Sequence, residues 1–368
     1  MKIAILTRTS ATNFGTVLQA YALQRYIYEQ GFYVKTVDDV LPRKVYNNIQ
    51  TVKCKWTLKE RIANIIDRWK SRKIYARAIK LGKTSRKFKK KYISYFYPKS
   101  LQDINQNFDG FIAGSDQIWA YSAEPKLFSY FLLESIEQDK KKISYAVSIG
   151  ESEYPIQYKD KVVDLLSNFD YLSVREKGSK EIIAKYTNKA VEIVCDPVLL
   201  IDKIDWKRLA GKRKITKKYV FCYFLGNQDW YWEKLEVYAR KNDCEVYVYQ
   251  KEETAHPYRS IHVCSPKDFL NYIEFAEFIL TDSFHGLCFS LLFEKQFCVL
   301  QRFLNDGRNT QNNRLVDLLS LIGLKDKFLS KESLLNDRIV DYESVNEKLE
   351  GFKETSKDYL KKVLGQGA

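Results

Sequence analysis

The chain has 368 residues, 45% hydrophobic and 29% charged, with 61 Lys or Arg against 46 Asp or Glu and a formal net charge of +15. That length exceeds one ordinary hydrophobic core and predicts two domains, and the composition excludes disordered and collagen-like chains. No apolar run approaches the roughly 20 residues that cross a bilayer, and the chain enters Lys2-Ile3-Ala4-Ile5-Leu6 without a signal-peptide pattern, so a cytoplasmic location is expected.

From the amino terminus, apolar runs predict strands at 2–7, 33–37, 110–113, 142–147, 171–174 and 191–194, with helices at 16–29, 58–79, 156–167 and 179–186. Strands alternating with helices predict a doubly wound parallel sheet. The stretch from Leu200 to Lys217 is polar, rich in Lys and Arg and broken by Gly211, and reads as a boundary. A second alternation follows, with strands at 218–224, 245–249, 261–263, 278–280 and 297–300 and a Trp-rich helix at 229–241. Ser265 is placed to cap the next helix, with Pro266 at its first position. The expected architecture is α/β: a Rossmann-like domain over 1–205, a second over 215–335 facing it across a cleft and holding a donor site, and a helix within 340–368 returning to the first.

The charge is unevenly spread. Residues 51–100 hold seventeen Lys or Arg against Glu60 and Asp67. Within them Leu58, Ile62, Ile65, Ile66 and Trp69 recur at helical spacing between basic residues, which describes either a packed helix with a solvated face or a surface that approaches anionic lipid head groups. No nucleic-acid motif is present, and no nucleic-acid partner is expected. The seven cysteines form no CxxC pair and several lie in apolar runs, so they read as buried thiols rather than a zinc site.

Polar residues gather where predicted strands end. Thr281-Asp282-Ser283-Phe284-His285-Gly286 follows an apolar strand and precedes a helix-compatible run, a setting in which a helix amino terminus collects anions. His285, one of three histidines, is the candidate proton donor there, and Ser283 and Gly286 lie beside it. His256 and His262 read as incidental. After the first strand, Asn13, Gly15 and Thr16 open a helix; they either offer N–H and hydroxyl groups to a sugar or phosphate, or make a simple turn and cap. G-x-G-x-x-G is absent, which disfavours a dinucleotide. Ser115, Asp116 and Gln117 follow the strand at 110–113, as binding groups or as a cap, and Tyr145 lies near the next strand end. Arg175 ends the strand at 171–174, its planar fork suited to carboxylate or phosphate, with a salt bridge to Glu176 as the competing reading. Asp196-Pro197 reads as a structural turn.

Taken in order, Asn-Phe-Gly-Thr-Val-Leu-Gln-Ala-Tyr-Ala-Leu at 13–23, Gly-Ser-Asp-Gln-Ile-Trp at 114–119, Ser-Val-Arg-Glu at 173–176, Asp-Pro at 196–197, Thr-Asp-Ser-Phe-His-Gly at 281–286 and Asn-Arg-Leu at 313–315 make the chain resemble the polysaccharide pyruvyl transferase family. The resemblance spans nearly the whole chain. It implies a fold similar to GT-B glycosyltransferases and transfer of the pyruvyl group of phosphoenolpyruvate to two hydroxyls of a sugar in a polysaccharide or its lipid-linked precursor. On that reading phosphoenolpyruvate is a donor substrate rather than a cofactor, and the chemistry makes no demand for a metal. His285 is the acid or base, Arg175, Ser283, Gly286, Asn313 and Arg314 bind the donor, and Asn13, Gly15, Thr16, Ser115, Asp116, Gln117 and Tyr145 bind the acceptor. An anionic membrane surface met through residues 51–100 would place the enzyme at the periphery of the inner leaflet.

One position departs from the resemblance. Some members carry Arg-Leu-His where this chain has Ser283-Phe284-His285, which leaves Arg302, Arg308 and Arg314 as candidates to replace the missing arginine. Two other readings stand beside this one. A glycosyltransferase of the same architecture would need an acidic residue such as Glu274 or Asp282 for a nucleotide ribose, and a non-catalytic basic scaffold would need no convergent site.

Overall fold

The computed structural model describes residues 1–9, 13–49, 72–121, 125–150, 153–251, 255–262, 264–304 and 310–366. The chain builds two parallel sheets. The first has seven strands, β1 (Lys2–Leu6), β2 (Tyr33–Val37), β3 (Tyr95–Phe96), β4 (Gly110–Asp116), β5 (Lys141–Val147), β6 (Leu172–Val174) and β7 (Val191–Ile193), in the order β3-β2-β1-β4-β5-β6-β7. The second has β8 (Tyr219–Phe224), β9 (Glu245–Gln250), β10 (Arg259–Ser260), β11 (Phe278–Thr281), β12 (Gln296–Leu300) and β13 (Phe328–Leu329), in the order β10-β9-β8-β11-β12-β13. Strand order reverses between β1 and β4 and again between β8 and β11, so each sheet has a switch point at its carboxyl edge, the place where α/β proteins bind ligands. This is the two-sheet α/β architecture that the alternating pattern predicts.

Helices α1 (Phe14–Glu29), α2 (Arg43–Asn48), α3 (Arg72–Tyr92), α4 (Leu101–Asn107), α5 (Pro125–Phe131), α6 (Ile156–Ser167) and α7 (Lys177–Ile183) belong to the first alternation. Helix α8 (Lys203–Ala210) follows, then α9 (Trp230–Asn242), α10 (Pro266–Glu274), α11 (Phe284–Leu292), α12 (Thr310–Leu321) and α13 (Tyr342–Leu364). Strands β8 and β11 are buried along their whole length and β4 up to its last residue, because helices cover both faces, and their sequences are mostly apolar. Helix α11 is buried at all nine positions, as a helix without a polar face must be. Helix α10 starts as expected: Ser265 accepts the Asp268 N–H, the Asp268 carboxylate accepts the Ser265 N–H, and Pro266 stands at the first turn.

Four sequence expectations shift. The polar stretch read as a boundary contains α8, capped by Asp202 and ended by Gly211 at φ 78°, and its Trp206 is wholly buried between Tyr21 and Phe289. Of the strand expected at 261–263, Val263 lies outside the described residues and Ile261 and His262 are not in a strand; the strand that pairs with β9 is Arg259–Ser260. The helix expected at 179–186 begins at Lys177 and ends at Ile183. Of the helix expected at 58–79, Leu58 to Trp69 lie outside the described residues, as does Arg308; α3 begins at Arg72 and runs on through Lys89, Lys90 and Lys91.

One apolar core crosses from sheet to sheet. Phe14 of α1 packs on Tyr223, Tyr249 and Phe269 from the second half at 5.1–6.2 Å. Helix α13 begins on the second half, where Tyr342 Oη donates to the carbonyls of Ser290 and Lys295, and ends on the first. There Tyr359 Oη donates to Ser144 O at 3.1 Å, and Ser356 Oγ accepts the Cys195 N–H at 2.8 Å. Among the described residues no helix is long and apolar enough to cross a membrane.

Candidate active site at the junction of the two sheets

The carboxyl edges of the sheets meet at Arg175. Its side chain, 1% exposed, follows β6 and is held on three sides by acids: Nη1 donates to Asp196 Oδ2 at 2.7 Å, Nη2 lies 3.6 Å from Asp116 Oδ1, and Nε lies 3.6 Å from Glu176 Oε2. Its fourth contact comes from the other half, where the guanidinium carbon sits 4.3 Å from the centre of the Phe284 ring. Burial opposes the charge on Arg175, but Asp196, Asp116 and Glu176 outweigh it and hold its pKa above the ordinary value. The adjacent Glu176 is therefore one of three partners; its other oxygen accepts the Ser179 hydroxyl.

Asp196, read from sequence as a turn residue, is the hub of the arrangement. It is buried after β7, its Oδ1 accepts the Val198 N–H at 3.0 Å, and its Oδ2 lies 3.4 Å from His285 Nε2 as well as against Arg175. Burial would raise its carboxyl; His285, Arg175 and the Val198 N–H together hold it well below the usual carboxylate range. Asp116 is shifted downward in the same way, burial being overcome by Arg175, His285, the Thr16 hydroxyl at 2.7 Å and Arg314. The signal that marks Asp196 is its place at a strand's carboxyl end, the same signal that marks Arg175 and Asp116.

His285 lies in the first turn of α11 and is 4% exposed. Its ring packs against Gly15, the second residue of α1: a Cβ there would fall 2.2 Å from both Cγ and Nδ1 of the imidazole. Glycine at 15 is what lets the amino end of α1 in one half touch the histidine of the other. Asn13 caps α1, its Oδ1 accepting the Gly15 N–H at 3.0 Å, and Tyr223 Oη reaches the same oxygen at 3.4 Å.

Cations predominate on the second sheet's side. Arg302, after β12, and Arg314, 8% exposed on α12, each have a buried Nε without a hydrogen-bond partner, and neither has an acidic partner within ion-pair distance among the described residues. Burial, then the charges of Arg302 and Arg175, pull the pKa of Arg314 down, so its charge is held at a cost that an anion would relieve. Asp282 cannot serve as that anion, because it is committed to the loop after β8. Its two oxygens each accept a backbone N–H at 2.7 Å, from Leu225 and Gly226, and Tyr231 Oη donates at 3.3 Å. Burial nevertheless leaves its carboxyl above the ordinary value. Gly226 is tightly enclosed, a Cβ there lying 2.9 Å from Arg302 Cγ.

The structure brings Asn13, Gly15, Thr16, Asp116, Arg175 and His285 together, with Arg314 near enough to influence Asp116. Other expected binding residues have different places. Tyr145 is wholly buried with its hydroxyl on Cys195 O at 3.1 Å, and Ser115 is wholly buried with its hydroxyl on Ala146 O at 2.9 Å, so both brace strand ends from within. Ser283 is the buried cap of α11, and Gly286 is packed against Thr281, whose Oγ1 would lie 2.4 Å from a Cβ. Gln117 packs on Gly150, and Asn313 is exposed near Gly178 of α7. Sequence reasoning missed the hub role of Asp196 and the locking role of Asp282. Among the described residues no group of three or more His, Cys, Asp or Glu is placed to hold a metal ion.

Solved structures similar to the chain include MurG of Acinetobacter baumannii, with 9% identity over 98% of this chain and 100% of that one at a TM-score of 0.42. The UDP-GlcNAc 2-epimerase of Methanocaldococcus jannaschii matches at 10% identity over 95% and 92% with a TM-score of 0.48, and that of Neisseria meningitidis, bound to UDP-GlcNAc, at 11% over 96% and 99% with a TM-score of 0.45. No curated protein matches the chain. The family model described as polysaccharide pyruvyl transferase matches residues 13–302, a span that holds Asn13, Asp116, Arg175, Asp196, His285 and Arg302. The chain belongs to the polysaccharide pyruvyl transferase family, and is a transferase.

Proposed function

We propose that the donor is phosphoenolpyruvate and that the chain joins its pyruvyl carbon to two hydroxyls of one sugar as a cyclic ketal. The observation that carries this reading is the convergence of Arg175 and His285 on a junction where Arg302 and Arg314 make no ion pair with a carboxylate among the described residues. A small donor bearing both phosphate and carboxylate answers that excess of buried cation, and charge-assisted forks bind both groups well. Arg302 and Arg314 then take the place of the arginine absent at Ser283. In the first step a sugar hydroxyl oxygen bonds to C2 of the enol and loses its proton, while the C2=C3 π bond takes a proton at C3 from His285, so that one proton is gained and one released. In the second, another sugar hydroxyl bonds to C2, its proton leaves, and the C2–O bond to phosphate breaks. Thr16 and Asp116, joined at 2.7 Å beside the capped start of α1, supply the acceptor side.

The acceptor is lipid-linked in this reading, and the basic stretch docks the enzyme to an anionic bilayer surface. Lys83, Arg86, Lys87, Lys90 and Lys91 of α3 are exposed and have no acidic partner among the described residues, while Phe88 and Tyr92 face inward onto Tyr21. Replacing Lys87, Lys90 and Lys91 together by Glu is expected to abolish co-sedimentation with vesicles containing phosphatidylglycerol and to leave turnover of a soluble saccharide unchanged. Retained sedimentation would remove the membrane from the proposal.

The reaction is tested by phosphate release from phosphoenolpyruvate with galactosides, mannosides and N-acetylhexosaminides, together with the mass of the saccharide product. Saccharide-dependent release with the mass gain of a pyruvate ketal is expected. Turnover of a nucleotide sugar with phosphoenolpyruvate inert would replace the donor. That second reading finds less support in the residues it needs, since Glu274 pairs with Lys207 at 3.3 Å and Asp282 is committed to backbone N–H groups.

A further inference from the structure

The two ring nitrogens of His285 meet opposite surroundings. Nε2 is sealed from solvent without an aligned hydrogen bond, and Asp196 Oδ2 lies 3.4 Å from it. Nδ1 is on the edge of the ring that packs against Gly15, the second residue of the 16-residue helix α1, and has no hydrogen-bond partner among the described residues. Neither side is free to turn away. Asp196 is buried, with Oδ1 accepting the Val198 N–H at 3.0 Å and Oδ2 accepting from Arg175 Nη1 at 2.7 Å, and the imidazole is wedged where a Cβ on Gly15 would fall 2.2 Å from Cγ and Nδ1. A carboxylate attracts an N–H and repels a nitrogen lone pair, whereas the positive amino end of a helix favours the lone pair. Burial leaves little water to screen either preference. Burial would also raise the Asp196 carboxyl, but His285, Arg175 and the Val198 N–H hold it well below the usual carboxylate range, so it faces Nε2 as an anion. Asp196 and α1 therefore select the same arrangement, with hydrogen on Nε2 and the lone pair on Nδ1.

We propose that Asp196 is the positioning residue of the proton transfer: it keeps a hydrogen on His285 Nε2 throughout, so that Nδ1 is the atom that gives and takes the moving proton. What the moving proton does rests on the reaction proposed above; where the fixed hydrogen sits does not. In that reaction the Nδ1–H bond of the imidazolium breaks as the C3–H bond forms, the π electrons of C2=C3 supplying the pair for the new bond. The lone pair left on Nδ1 then takes a proton released by a sugar hydroxyl, and the ring ends as it began. Gly15 belongs to the same assignment, since it sets Nδ1 at the start of α1 beside Thr16, whose hydroxyl donates to Asp116 on the acceptor side.

The test is the tautomer of His285 in the full chain, read from long-range proton–nitrogen correlation spectra of protein carrying isotope-labelled histidine. The chain has three histidines, so the signal lost in His285→Gln assigns the ring. In the neutral ring of the wild-type chain, without substrate, a protonated Nε2 and an unprotonated Nδ1 are expected; the reverse tautomer would overturn the proposal. In Asp196→Asn the amide can face Nε2 as donor or acceptor, so a mixture of tautomers is expected, with kcat lowered about 10²–10⁴-fold, the scale of loss that a wrong tautomer causes in a catalytic triad. A folded Asn variant that keeps the wild-type kcat sinks the proposal. So does one that loses kcat with the tautomer unmoved, which would make Asp196 a structural residue only. Where the Asn variant does not fold, the wild-type tautomer decides alone. Because the tautomer is read with no donor present, inert phosphoenolpyruvate would remove the proposed reaction and leave the assignment of Asp196 to be judged by the spectra.

Discussion

The two carboxyl edges that meet at the active site are built on opposite electrostatic plans. On the first sheet each buried charge has a counter-charge: Arg175 against Asp196, Asp116 and Glu176, with Thr16 and the Val198 N–H taking further oxygens. On the second sheet Arg302 and Arg314 make no ion pair among the described residues: Asp282, near Arg302, is committed to backbone, and Asp116 and Glu176 act on Arg314 only from beyond ion-pair distance. A buried charge is expensive unless something compensates it. Under the proposed reaction, the contrast gives the anionic donor to the second side and leaves the first to orient hydroxyls and hold His285.

The strongest way to break this comparison is to remove the residue that stands between the two sides. His285→Ala is expected to lower kcat by about 10²–10⁴ with a native circular dichroism spectrum; a loss below tenfold would make His285 a packing residue. Asp196→Asn tests the completed network. The wild-type carboxyl is depressed, so its contribution is present above about pH 4 and is lost as pH falls through the lower folded value. The variant should lose about 3–5 kcal/mol in denaturant melts at pH 7, and the gap should narrow as the pH is taken below about 4. A gap independent of pH would mean that the pairing does not carry the effect.

Arg314→Gln sharpens the other side. Removing an uncompensated cation should cost the fold little but raise KM for phosphoenolpyruvate about 10–100-fold, the worth of one or two charge-assisted contacts, with kcat nearly unchanged. An unchanged KM would assign the donor elsewhere. Gly15→Ala probes the contact between the sides. Its methyl group would land on the imidazole, and a cost of about 1–3 kcal/mol in stability is expected, with reduced turnover from a displaced ring. Full activity would show that the ring and α1 are not in contact during reaction.

Much of this is legible in the sequence. Long buried strands such as Phe278–Thr281 are apolar nearly throughout, because a sheet covered on both faces leaves them no polar side, and Arg175, Asp116 and His285, candidates by their position at strand ends, do come together in space. The two-residue edge strands Tyr95–Phe96 and Phe328–Leu329 carry too little pattern to see. Helix 203–210 hides in a charged stretch since its burial rests mainly on Trp206, Leu209 and Ala210. Asp196 does cap the turn at Pro197–Leu200 as the sequence indicates, but its pairing with Arg175 and His285 is hidden because they are 21 and 89 positions away, and Ser115 and Tyr145 read as binding groups because a sequence does not say on which side of a strand end a hydroxyl lies. That two arginines make no ion pair among the described residues is a fact about three dimensions only.

The last helix has a consequence for how the molecule is made. The first sheet is complete in sequence by residue 193, yet Ser356 and Tyr359, near the end of the chain, supply hydrogen-bond partners to Cys195 and Ser144. A ribosome that has finished the strands of the first half still holds back part of its wall, so that half reaches its final form only once residues 356–359 have emerged, after the second sheet.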